Sequence, residues 1–167
     1  MNKILIVFLI LITNQVFGRV LTLSKDIFPA VPFRQFTQGS LCDEKDPDMD
    51  EHRYQERIPY CKRVVSNSMK SKIYKLYHVP DKCKQYYTID HYYPLSLGGS
   101  NHIDNLWPEH KNVKKSRQDL EYELFIALSE GRITQEEALL QIDWEKMNPA
   151  LNEAIDPCSM RVLHANN

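Results

Sequence analysis

Four cysteines limit how this chain can fold more than any other feature. Cys42, Cys61, Cys83 and Cys158 are an even set in 167 residues, and no two of them form a C-x-x-C pair. An even number in an exported chain points to crosslinks, and four cysteines allow three pairings. A four-cysteine zinc site is the rival reading, and it lacks the closely spaced pairs that such sites use. The expected pairing is Cys42–Cys61 with Cys83–Cys158. The first bond would close an acidic run, and the second would tie the C-terminal tail to the core. The other two pairings stay open.

Export is read from the N-terminus. Lys3 precedes an unbroken apolar run, Ile4 to Ile12, and a polar stretch follows before Gly18. The run is far shorter than the ~20 residues of a membrane-spanning helix. Residues 1–18 therefore read as a signal peptide cleaved after Gly18, and the remainder as periplasmic or secreted, without a membrane partner. With 43% hydrophobic and 26% charged residues, the chain suits one globular domain. The net charge is −1 and becomes more negative once Lys3 is lost, so attraction to phosphate must come from local patches.

The pattern along the chain predicts a mixed α+β domain over 41–146. An irregular lead-in (19–40) offers Phe28, Phe33 and Phe36 for packing, and 147–167 form a tail. Residues 43–51 hold Asp46, Asp48 and Asp50 in alternation, like the start of a calcium loop. Glu51 and Arg57 stand where such a loop needs glycine and glutamate, so the run reads as a solvated loop. Residues 67–78 read as a helix capped by Ser66, with Met69, Ile73 and Leu76 on one face. A strand is expected near 86–90 and a second short one within 101–107. A helix should run from about 109 to 130, stopped by Gly131. Thr134 and Glu137 form a capping box for a last helix through Lys146, burying Ala138, Leu139 and Ile142.

The chemistry is concentrated between Tyr87 and Arg117. A strand ends in Asp90-His91, a loop with Gly98-Gly99 follows, and then come Asn105, His110 and Asn112. A neutral histidine can activate water near neutral pH. Asp and Asn oxygens suit hard divalent ions, which stabilise a departing oxygen at phosphorus. Lys111, Lys114, Lys115 and Arg117 make a local basic patch at an expected helix start, suited to backbone phosphates. The bland readings stand beside these. His52, His78 and His164 read as surface residues, His102 as turn filler and Trp107 as core; the basic residues could equally be a solvated helix face.

Ile89-Asp90-His91, Pro94-Leu95, Leu97 to Asn101 and Asn105 to Pro108 resemble the motif of HNH endonucleases. The likeness is to small exported bacterial members with the pattern D-H-x-x-P-L-x-L-G-G-S-N-x-x-x-N-L-W-P. It extends more loosely through Cys61 to Ser66 and the helices after 117. The resemblance implies a ββα-metal core with added helices, here stabilised by disulfides. It implies His91 as general base, Asn105 as the residue that braces the hairpin and orients His91, and one divalent ion, Mg²⁺ before Mn²⁺, held by Asp90 and Asn112. His110 is the alternative to Asn112. The implied partner is nucleic acid, DNA before RNA, cut with little sequence specificity. A catalytically inactive secreted nucleic-acid-binding module is the alternative function, and a stapled domain with structural zinc is a third.

Overall fold

The computed structural model describes residues 30–149 and Cys158. The leader, Phe28 and nearly all of the 147–167 tail lie outside the described residues. The remainder is a mixed α+β fold with two small antiparallel sheets. In chain order the elements are β1 (Met49–Arg53), β2 (Ile58–Cys61), α1 (Asn67–Leu76), β3 (Tyr87–His91), β4 (Leu106–His110), α2 (Lys111–Lys115), α3 (Leu120–Ser129) and α4 (Gln135–Met147).

The β3–β4 ribbon is the centre of the molecule. Tyr87 faces His110, Ile89 faces Pro108, Asp90 faces Trp107 and His91 faces Leu106. β-Branched and aromatic residues favour the strands, and every residue of β4 is buried. Pro108 cannot donate a hydrogen bond, which a two-stranded ribbon tolerates because alternate N–H groups point away from the partner strand. The connecting loop, 92–105, turns at Gly98, whose φ of +88° suits glycine. At Gly99 a Cβ would lie 1.8 Å from the Tyr93 carbonyl oxygen, so only glycine lets the loop close.

Two apolar clusters flank the ribbon. Ile73 and Tyr77 of α1 pack with Tyr87, Ile89, Leu106 and Trp107, and Phe33 and Phe36 of the lead-in join them. Phe33 stacks on Tyr77 with ring centroids 5.2 Å apart. Leu120, Leu124 and Leu128 of α3 meet Ala138 and Ile142 of α4, Ile58 of β2 and Leu97. Both disulfides have the expected pairing: Cys42–Cys61 and Cys83–Cys158, with Cα separations of 5.7 and 5.5 Å. The Ser66 side chain caps α1 by accepting the Met69 N–H, and the Thr134–Glu137 capping box opens α4.

Three expectations change. The single helix from 109 to 130 is instead a strand to His110 and two helices separated by a turn at 116–119. Pairing with β3 keeps 109 and 110 extended. At the break the Ser116 hydroxyl donates to the Val113 carbonyl, a local bond that competes with helix continuation. The second strand lies at 106–110 rather than within 101–107. The acidic run is not simply a solvated loop: its end enters β1, which pairs with β2 in an unexpected second hairpin.

Candidate functional site

Asp90 and His91 end strand β3, and consecutive strand residues leave opposite faces. Their partners differ accordingly. Asp90 is buried, and its Oδ1 accepts from Lys114 Nζ at 2.6 Å. Lys146 Nζ lies 3.6 Å from Oδ2, which makes no hydrogen bond among the described residues. Burial alone would push this carboxyl up. The positive charges of Lys146 and Lys114, with the Lys114 hydrogen bond, outweigh burial and hold it below the ordinary range.

Lys146 is fully buried. It reaches from the last turn of α4 to donate to the His91 carbonyl at 2.6 Å and to Glu121 Oε1 at 3.2 Å. Burial lowers its pKa, and Asp90 and Glu121 offset this only in part. Glu109, also fully buried, pairs with Arg117 and lies 3.9 Å from Lys114. This side of the ribbon is therefore a network of ion pairs that reaches solvent at Lys114 and Glu121. Buried charges persist only when paired in this way.

His91 is buried too, but its ring meets a neutral amide rather than an ion. Its Nε2 sits 2.9 Å from Asn101 Oδ1. The Asn101 amide is fixed by its other contacts: Nδ2 donates to the Asp48 carboxylate and to the Lys62 carbonyl at 2.7 Å, while Oδ1 accepts the Val64 N–H at 3.3 Å. An amide oxygen only accepts, so Nε2 of His91 carries the proton and Nδ1 keeps its lone pair. Burial pushes the His91 pKa down. The Asn101 bond opposes this, and the nearby charge of Arg63 adds to it. The ring is thus neutral near pH 7, the state a general base needs. Arg63 donates to the Ile89 carbonyl at 3.3 Å, which sets its guanidinium beside the end of β3.

The remaining expected site residues are not gathered around one point. Fully buried Asn105 braces the loop, accepting the Tyr93 N–H at 2.8 Å and donating to Tyr93 O and Ser100 O. Asn112 is exposed. It lies two residues from Lys114, about 200° around the helix axis, so it faces away when Lys114 meets Asp90. His110 Nδ1 accepts the Asn112 N–H at 3.2 Å, and its ring packs on Tyr86 and Tyr87. The basic patch is largely committed inside the molecule. Lys111 donates to the Gln85 carbonyl, Lys114 to Asp90, and Arg117 to Glu109. Lys115 remains exposed.

A divalent ion does not fit the expected donor set in this arrangement. One oxygen of Asp90 is held by an ammonium and the other lies beside a second, buried one, while Asn112 points elsewhere. Among the described residues, Cys42, Asp46 and Cys61 are the group whose ligand-type atoms converge. Both sulfurs belong to the Cys42–Cys61 disulfide, so neither is a thiolate able to bind metal.

Sequence reasoning missed Asn101, Asp48, Arg63, Glu109 and Lys146 as members of the site. Lys146 carried a readable signal: it follows Ala138 and Ile142 at steps of four, on the buried stripe of α4. Asp48 carried none, because its partner lies 53 residues away. Comparison with known proteins gives no relative: no family model, curated protein or solved structure matches the chain. The two disulfides suit a non-reducing compartment. No helix among the described residues is long and apolar enough to cross a membrane.

Proposed function

We propose that this chain is an exported endonuclease of the HNH kind that hydrolyses nucleic-acid phosphodiester bonds, with His91 as general base. One observation carries the reading: a buried, neutral imidazole at the end of β3 whose tautomer is set by Asn101, leaving Nδ1 as the basic atom. The β3–loop–β4–α2 order supports it, being the hairpin and helix that the resemblance requires. In the proposed reaction Nδ1 takes a proton from water as the water oxygen bonds to phosphorus. The bond from phosphorus to the 3′ oxygen breaks, and that oxygen takes a proton from solvent, leaving 5′-phosphate and 3′-hydroxyl ends. Arg63, exposed beside His91, is the cation best situated to meet the phosphate.

The resemblance also asks for a divalent ion, Mg²⁺ first and Mn²⁺ next, to stabilise the leaving oxygen. The ligands it names do not fit one here, and no step is drawn through it. Plasmid nicking by the purified protein with Mg²⁺, Mn²⁺ or a chelator tests both parts. Cleavage abolished in His91→Ala supports the base. Absence of cleavage by the unmodified protein in every condition, or undiminished cleavage by His91→Ala, overturns the reading. The second reading, a module that binds nucleic acid without turnover, is favoured by the engagement of Asp90 with Lys114. A gel shift without cleavage would select it.

A further inference from the structure

We infer that Asp48 and Asn101 are positioning residues for His91, and that the acidic segment closed by the Cys42–Cys61 disulfide is the arm that carries this support. The inference rests on the reading of His91 as the base. The first ground is the saturation of the Asn101 amide. It has two N–H donors and two acceptor lone pairs. The donors meet Asp48 and Lys62 O, and the acceptor positions meet Val64 N–H and His91 Nε2. Turning the amide over would set its oxygen against a carboxylate and a carbonyl. The ring of His91 therefore has one favoured tautomer and one favoured orientation.

The second ground is how Asp48 is held. Asp46 and Asp48, two apart in a turn closed by the Met49 N–H on the Asp46 carbonyl, grip two consecutive loop residues: Asp46 meets His102 at 2.8 Å and Asp48 meets Asn101. The Asp48 carbonyl also accepts the Lys62 N–H at 2.9 Å, next to Cys61. The disulfide joins the two ends of this segment. The Asp48 charge polarises the amide and strengthens its hold on the imidazole N–H. It also favours the imidazolium that forms when Nδ1 takes a proton. The alternation of acids that resembles a calcium loop thus serves contacts within the protein.

The test labels the histidines of the full chain with ¹⁵N and follows the His91 ring, beside kcat and KM on a defined duplex. The unmodified protein should show the Nε2–H form. Asn101→Ala should mix the tautomers and lower kcat about 100-fold with little change in KM. Asp48→Ala should act in the same direction, about tenfold, as outer partners of a working imidazole do. Should truncation unsettle the loop, Asp48→Asn offers a second route. It keeps a side-chain oxygen for the Asn101 N–H and removes only the charge, so the Nε2–H form should persist while kcat falls by less than in Asp48→Ala; activity equal to that of the unmodified protein removes the role given to the Asp48 charge. An unchanged tautomer and unchanged kcat in both alanine variants overturns the inference. If His91→Ala is inactive while these variants are silent, the base stands and the positioning role falls. If His91→Ala cleaves normally, the base reading falls, and the ¹⁵N spectra still decide whether Asn101 orients the ring.

Discussion

The two faces of the β3–β4 ribbon differ although neighbouring residues supply them. On one, Asp90 and Glu109 are matched with Lys114, Lys146 and Arg117. On the other, His91 is matched with an amide and, behind it, one carboxylate. A buried ionic network gains little over an apolar one when complete and loses much when a member is removed. A neutral imidazole held by one directional bond costs less to bury and stays ready to accept a proton. The contrast teaches that adjacent positions of one strand can be divided between a set of ion pairs and a neutral ring able to take a proton.

The comparison breaks most visibly at His91. His91→Ala should lower nucleic-acid cleavage by about 10³-fold while leaving the fold intact, read from initial rates and from far-UV circular dichroism. A large loss of stability would show that the neutral face is structural as well. Next is Lys146→Met, which leaves Asp90, Glu121 and the His91 carbonyl short of a partner. A stability loss of about 3 kcal/mol is expected in urea unfolding. Lys114→Ala removes a charge from the same carboxylate, but that side chain is 44% exposed and water can replace it. Its expected cost is about 1 kcal/mol, and a cost equal to that of Lys146→Met would erase the distinction between the two lysines.

The smallest effect is on pH dependence, where the faces should separate. His91 is held below its ordinary value of 6.5, so the unfolded chain binds the proton first. Its contribution is complete above 6.5 and is lost as pH falls from there through the folded value. Asp90 is held below its ordinary 3.8. Its contribution is complete above that value and is lost only in stronger acid, as pH falls through the folded value. Urea midpoints measured downward from neutrality should show the first loss, and His91→Gln should remove it while leaving the second.

Much of this arrangement is readable from local pattern. Ser66, Thr134 and Glu137 mark helix starts through bonds spanning three residues, and the structure has them. Tyr87 to His91 declare a strand through residue type. What is not readable depends on distance or competition. Whether residues 109–119 continue a helix is decided by pairing with β3 and by the bonds of Ser116 and Arg117, none of which periodicity encodes. The basic patch reads as available for phosphate because sequence shows charge without showing what has consumed it; Glu109 and Asp90 take two of its members. Asn101 lies within the quoted motif, but its hydrogen bonds depend on an acid in the turn that precedes β1.

The ammonium beside Asp90 has a consequence for synthesis. Lys146 lies 55 positions downstream of the histidine whose carbonyl it meets. During translation the ribbon can form while that carboxylate still lacks its second counter-charge. A fragment ending before α4 would carry the whole recognisable motif and still miss the group that completes its interior. Excising residues 87–117 alone would therefore leave behind part of what holds the ribbon together.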